Sequence, residues 1–181
     1  MKEISMHILD IVMNSVKAEA KLIEIIIEEK TAENYVKVII KDDGTGMSEE
    51  ALKNVTDPFY TTRKTRSVGL GLPLLKEACE RCKGYLKINS SIGYGTTVEA
   101  YFERNNIDRS PIGNMGDTIM TIVNSLEKCE LIYKHYVDAK IFNFSTLQIK
   151  EILEETEIKE NSILLWINED IAENINALYK K

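Results

Sequence analysis

The sequence predicts an α+β fold: a two-layer sandwich with helices on one face of a mixed, largely antiparallel sheet, plus a small C-terminal α+β module. Three observations carry this. Up to residue 104, stretches of helical period alternate with β-branched runs in the order helix, paired strands, helix, paired strands. The paired strands are joined by short turns and are apolar on one face, so the helices must layer on that face. A polar, turn-rich break over residues 105–116 then precedes a second set of helix and strand patterns over residues 117–181.

In residues 4–18, Ile4, Ile8, Ile11, Val12 and Val16 recur at helical spacing and give an amphipathic helix. His7, Asp10, Asn14 and Lys17 share a second, polar face of it. Residues 22–29 and 35–41 are β-branched runs joined by Lys30-Thr31-Ala32-Glu33-Asn34 and predict a hairpin. Ser48-Glu49-Glu50 has the hydroxyl and first-turn acids of a helix start. Residues 56–68 lack periodicity and predict a loop, with a basic run at Arg63-Lys64-Thr65-Arg66. Gly69-Leu70-Gly71-Leu72-Pro73 opens the next helix, and Lys83-Gly84 ends it. Strands follow over 85–90 and 96–102. Beyond the break, a helix is expected over 117–127, a hairpin over 130–144 turning near Asp138-Ala139, a Ser145-capped helix to residue 155, and a last helix over 161–178.

Composition narrows the function classes. With 44% hydrophobic and 29% charged residues, the chain has material for an ordinary core and no bias toward disorder. Its longest apolar runs fall far short of the roughly 20 residues that cross a bilayer, so no membrane partner and a cytoplasmic location are expected. Residues 1–104 carry 15 Lys and Arg against 16 Asp and Glu, whereas residues 105–181 carry 8 against 13. Such an acidic segment repels phosphate backbones, so nucleic acid is excluded and a protein surface is the expected partner. Cys79 and Cys82 form a Cys-x-x-Cys inside a helical segment, with Cys129 as the odd third. That count fits no disulfide framework; Cys79 is expected in the core and Cys82 near a helix end.

The chemistry sits in four pieces. Asp42 ends a strand and is followed by Gly44 and Gly46, which places a carboxylate to accept from an exocyclic amine while the glycines let backbone approach a flat base. Asn14 offers a hard, neutral oxygen to magnesium, and Lys17 a point charge to a phosphate. Asp10, one turn before Asn14, can orient and deprotonate a water or hydroxyl. Gly69, Leu70, Gly71 and Leu72 expose backbone N–H groups to an anion, and the basic loop before them can fold over phosphates as a lid.

In order and separation, these pieces resemble the GHKL superfamily, the Bergerat ATP-binding fold shared by gyrase, the large heat-shock chaperone and histidine kinases. Residues 10–17 are similar to its N-box, Asp42-Asp43-Gly44-Thr45-Gly46-Met47 to the first glycine box, and Asp57-Pro58-Phe59-Tyr60-Thr61-Thr62-Arg63 to the aromatic box. Gly69-Leu70-Gly71-Leu72 looks like the second glycine box, and Gly93-Tyr94-Gly95-Thr96-Thr97 the closing one. The likeness covers about residues 3–104. It implies ATP and Mg²⁺ as ligands, Asp10 as catalytic base and Asn14 as metal ligand. Around the nucleotide it implies Lys17, Asp42, Gly44, Gly46, Met47, Phe59, Thr62, Arg63, Lys64, Gly69, Leu70, Gly71, Leu72 and Thr96, with Thr96 sharing the adenine with Asp42.

Two departures from the pattern stand out. Asp10 occupies the place of a glutamate in the hydrolytic members and is shorter by one methylene; Ser67-Val68 replaces a frequent Gly-Thr before the second glycine box, and the lid is short. Only nine residues precede Asp10, so a stand-alone form without a dimerisation and phospho-acceptor domain is expected, as a monomer or weak homodimer. The resemblance implies a slow ATPase acting as a nucleotide-dependent switch on a partner protein, with residues 105–181 as the partner or regulatory element. A trans-acting serine or histidine protein kinase and a non-hydrolysing nucleotide-binding adaptor are the competing readings.

Overall fold

In the computed structural model, residues 3–57, 71–154 and 156–180 are described. The chain opens with α1 (Ile4–Lys17), whose Ile4, Ile8, Ile11 and Val12 are buried as their spacing requires. Strands β1 (Leu22–Lys30) and β2 (Tyr35–Asp42) form the expected antiparallel hairpin, with Ile25 opposite Ile40 and Ile27 opposite Val38 on the inner face. The short α2 (Glu49–Asn54) starts where Ser48 Oγ accepts from the Ala51 N–H at 3.2 Å. Helix α3 (Gly71–Arg81) leads into a second hairpin, β3 (Tyr85–Ser91) and β4 (Gly95–Glu103).

The remaining elements are α4 (Met115–Ser125), β5 (Glu130–Val137), β6 (Lys140–Ser145), α5 (Thr146–Leu153) and α6 (Asn161–Tyr179). All six strands belong to one sheet in the order β3-β4-β2-β1-β5-β6. The architecture is the α+β class that the pattern predicts, and the sheet is mixed through a single junction: β5 runs parallel to β1, and every other pair is antiparallel. A parallel neighbour needs a crossover, and α4 supplies it, capped by Asn114 accepting from the Asp117 N–H at 3.1 Å. One continuous apolar core results. Ile8, Ile25 and Leu75 belong to it together with Ile119, Leu131, Tyr133, Ile167 and Ile171.

Residues 105–116, a break by composition, are tied down at their far end. The first two N–H groups of α1, on Ile4 and Ser5, donate to the carbonyls of Pro111 and Ile112 at 3.0 and 2.7 Å. Helix-start donors otherwise lack partners, so this strap completes α1 from outside. The three cysteines are free and buried. Burial pushes the Cys79 thiol up to about 12, so it packs as a small hydrophobe rather than serving as a nucleophile. Among the described residues, no helix is long and apolar enough to cross a membrane.

At the end of the sheet where β1 finishes, a buried polar chain joins three elements. His135 Nε2 meets Glu29 Oε1 at 2.9 Å, His135 Nδ1 meets the Tyr133 hydroxyl at 2.7 Å, and the Tyr179 hydroxyl donates to the same Glu29 oxygen. Burial holds Tyr133 well above the ordinary phenol range, so it keeps its proton and donates to Nδ1. Nε2 then carries the hydrogen that Glu29 accepts. Burial pushes the Glu29 carboxyl up, but the hydrogen bonds from His135 and Tyr179 outweigh it and hold the group below its ordinary value. A lowered carboxyl contributes stability that is fully present above pH 4.5, the ordinary value, and is lost as pH falls through the folded one. We predict that His135→Ala costs about 3 kcal/mol in urea unfolding at neutral pH, because a buried carboxylate loses its principal donor. The wild-type stability curve should decline on acidification below about pH 4.5.

Candidate nucleotide-binding site

The opposite end of the sheet gathers α1, the tip of β2 and the β3–β4 hairpin around one carboxylate. Asp42 is the last residue of β2 and pairs with Thr96 of β4. Its Oδ1 accepts from the Gly44 N–H at 3.0 Å and the Thr96 N–H at 3.2 Å, and its Oδ2 accepts from Ser15 Oγ at 2.6 Å. A carboxylate has about four lone-pair sites. Three donors among the described residues therefore fix the orientation of Asp42 and leave Oδ2 with capacity for one more, which suits an exocyclic amine.

The glycine turn after Asp42 is held on both sides. Thr45 N–H donates to the Ala18 carbonyl at 2.9 Å just beyond the end of α1, and Gly93 N–H donates to the Thr45 carbonyl at 2.9 Å from the hairpin. Gly46 has φ +67°, and a Cβ there would lie 2.0 Å from the Ser91 carbonyl oxygen. The Met47 N–H donates to Ser90 Oγ at 2.9 Å, and that hydroxyl also meets Thr96 Oγ1 at 2.9 Å. Asp43 faces away from Asp42. It accepts from the Leu22 and Lys21 N–H groups at 2.9 and 2.7 Å, and these bonds hold its carboxyl below the ordinary range.

Asp10 sits half-buried against α3. A Cβ on Gly71 would lie 1.7 Å from Asp10 Oδ2, so the glycine leaves room for this carboxylate, in its present rotamer, against the start of α3. Asn14, half-buried, stands one turn further along α1, and Lys17 is exposed in its last turn. Leu72 packs against the core. Phe59, Thr62, Arg63, Lys64, Gly69 and Leu70 lie outside the described residues. The structure thus brings together Asp42, Gly44, Gly46, Met47 and Thr96 as one group, and Asp10 with Gly71 as another, with α1 running between them.

His7 departs from the polar stripe. It is 2% exposed and lines a cavity of about 10 Å³ with Ile4, Ile8, Leu75 and Val98. Among the described residues its Nδ1 has no hydrogen-bond partner. Burial holds its pKa below the ordinary imidazole value against the opposing pull of Asp10. Helical spacing alone placed His7 with Asp10 because it sits at the border of the apolar face. Ser15 was missed as a site residue for the complementary reason: it is 3% exposed among apolar neighbours, and its reach to Asp42 follows only from the packing of α1 on β2. A hydroxyl on the buried side of a polar-striped helix was the available signal, one that Ser5 shares.

Residues 2–106 match the family model of the histidine kinase-, DNA gyrase B- and HSP90-like ATPases. The chain belongs to this family. Among similar proteins are sporulation kinase C of Bacillus subtilis (strain 168), 33% identical over 50% of this chain and 21% of that protein, and a putative sensor protein of Shewanella frigidimarina (strain NCIMB 400), 37% identical over 43% of this chain and 12% of that protein. The chain thus matches only a minor part of these curated relatives. A crystal structure of the N-terminal domain of a DNA repair protein superposes with a TM-score of 0.52 over 80% of this chain and 52% of that one, at 14% identity, which establishes likeness of fold. Membership of this ATPase family supports ATP binding and a kinase-like ATPase domain.

Gly46→Ala is predicted to lose about 1–3 kcal/mol of stability from the left-handed backbone alone, with more from the contact at Ser91. Thermal unfolding of the purified variant checks this; an unchanged midpoint would contradict the turn geometry.

Proposed function

We propose that the protein binds ATP with Mg²⁺ at this site and acts as a slow ATPase whose nucleotide state is passed to a partner protein. The reading rests chiefly on Asp42: an oriented carboxylate with one open acceptor site, beside backbone turns that exclude side chains, is what recognition of an adenine amine requires. Asn14 is the residue on α1 suited to hold the metal as a hard neutral ligand, and magnesium when bound neutralises phosphate charge. Asp10 serves as the base. Its place beside Gly71 sets it at the border between the helix carrying Asn14 and the start of α3, where a glycine-bordered backbone suits phosphates. Lys17 and the basic residues Arg63 and Lys64 are assigned to the phosphates.

Residues 105–181 are assigned to the partner. What supports this is their attachment to α1 at both ends: Pro111 and Ile112 receive its first N–H groups, and Ser125 Oγ, which donates to the Ile122 carbonyl at 2.6 Å, lies against Met13 Sδ at 3.4 Å, next to Asn14. A change in α1 on nucleotide binding therefore has a direct route into that segment. The kinase names of several relatives favour a second reading, in which Asp10 activates a hydroxyl or imidazole of another protein instead of water.

Asp42→Asn should weaken ATP about tenfold to a hundredfold in calorimetry, since an amide donor would face the adenine amine and a charge-assisted bond of roughly 1.5–3 kcal/mol is lost. Unaltered affinity would refute the adenine assignment. Asp10→Asn should abolish phosphate release while leaving ATP affinity within about twofold; a variant that hydrolyses normally removes Asp10 from catalysis. Binding without any turnover in the wild type selects the adaptor role. Transfer of labelled γ-phosphate to a co-purified protein selects the kinase.

A further inference from the structure

Away from the nucleotide site, α4, α5, the approach to β5 and the segment leading into α6 line an open cavity of about 330 Å³. That is the small end of the range for ligand pockets. Val123, Leu126, Cys129 and Ile158 line it, and all four are buried. The outer part is charged and lopsided. Lys150 is already neutralised by Glu130, with Nζ 2.6 Å from Oε1. Exposed Glu127, Glu154 and Glu157 share the rim with one further cation, Lys159, and none of these four makes an ion pair among the described residues.

We propose that this cavity binds a small organic ammonium ion, with its apolar body against Val123, Leu126 and Ile158 and its cation at the rim carboxylates, and that occupancy alters nucleotide affinity. The apolar base of a cavity of this size takes a compact aryl or alkyl group. Three carboxylates against one ammonium repel an organic anion and attract a cation.

Two short routes connect the cavity to the nucleotide site. Leu126 lines it, and the Oγ of the adjacent Ser125 packs 3.4 Å from the sulfur of Met13, which precedes Asn14. Cys129 lines it too, and the adjacent Glu130 N–H donates to the Lys21 carbonyl at 2.8 Å, while the Lys21 N–H donates to Asp43, the neighbour of Asp42. A ligand that shifts α4 or the start of β5 acts on both. The coupling half of the proposal rests on the ATP-site reading; the binding half stands apart from it.

The test uses the full chain with labelled Val, Leu and Ile methyl groups, titrated with phenethylammonium, 2-phenylethanol and 3-phenylpropionate up to about 10 mM, the range of weak millimolar binding. Phenethylammonium should give saturable shifts at the Val123, Leu126 and Ile158 methyls and bind about three- to fivefold tighter than the alcohol, the ratio a solvent-screened ion pair supplies. The carboxylate should bind weakest. Combining Glu154→Gln with Glu157→Gln, both at exposed positions, should bring ammonium and alcohol to parity without disturbing the spectrum elsewhere. At saturating amine the ATP affinity should change at least about twofold, with the reciprocal change in amine affinity.

Absence of saturable shifts at those methyls, or tighter binding of the carboxylate, overturns the site. Amine binding with unaltered ATP affinity overturns the coupling. A chain that binds no ATP yet still shows the methyl shifts removes the ATP reading and the coupling while upholding the amine site.

Discussion

The carboxylate of Asp42 is the joint on which this end of the molecule depends. One side chain ties α1 through Ser15, its own strand through the Gly44 turn, and β4 through the Thr96 N–H. Each donor comes from a different element, so the carboxylate reports their relative positions. A ligand amine at the remaining acceptor site would compete with none of the three, because the open capacity lies on Oδ2 beside the serine rather than on the crowded Oδ1. The site is therefore oriented before a ligand arrives, which reduces the ordering cost of binding.

The two ends of the sheet have different characters. Asp42 lies opposite Ile23, and Glu29 follows six residues along β1, about 20 Å away at strand rise. At the Glu29 end the turns are cross-linked. Asp138 accepts from the Thr31 N–H and hydroxyl at 2.7 and 2.9 Å, and the Arg104 N–H donates to the Asn34 carbonyl at 2.9 Å. Tyr179 reaches Glu29 from the last residue of α6. These bonds fasten β5, β6 and the end of α6 to the first hairpin. The Asp42 end has an oriented carboxylate and turns built for close approach instead.

Much of this was legible in the sequence. Period-3.6 and period-2 patterns placed each helix and strand within a few residues, because buried positions recur at those periods and most of them are Ile, Val or Leu. Asp138, at φ +53°, is the turn residue expected near positions 138 and 139. The junction between β1 and β5 was not legible. Strand partners separated by a hundred residues are chosen by which inner faces share a core, and both strands alternate buried positions in the same way, so the pattern that predicts strands does not predict neighbours. His7 and Ser15 escaped for the same reason at smaller scale. Position on a helical wheel gives a direction, while depth is set by what packs against that direction.

The β1–β5 junction also fixes where residues 105–181 meet α1. Parallel pairing aligns the start of β5 with the start of β1, Glu130 beside Leu22, so the segment entering β5 arrives next to the backbone that holds Asp43. An antiparallel pairing would have brought the other end of β5 to that point and placed α4 elsewhere. With the parallel arrangement, the crossover helix must return across the face that carries α1, and its last turn meets Met13 through Ser125. Contact between residues 105–181 and the helix bearing Asp10 and Asn14 is thus a consequence of strand direction, and those residues join α1 through packed structure rather than through a flexible tether.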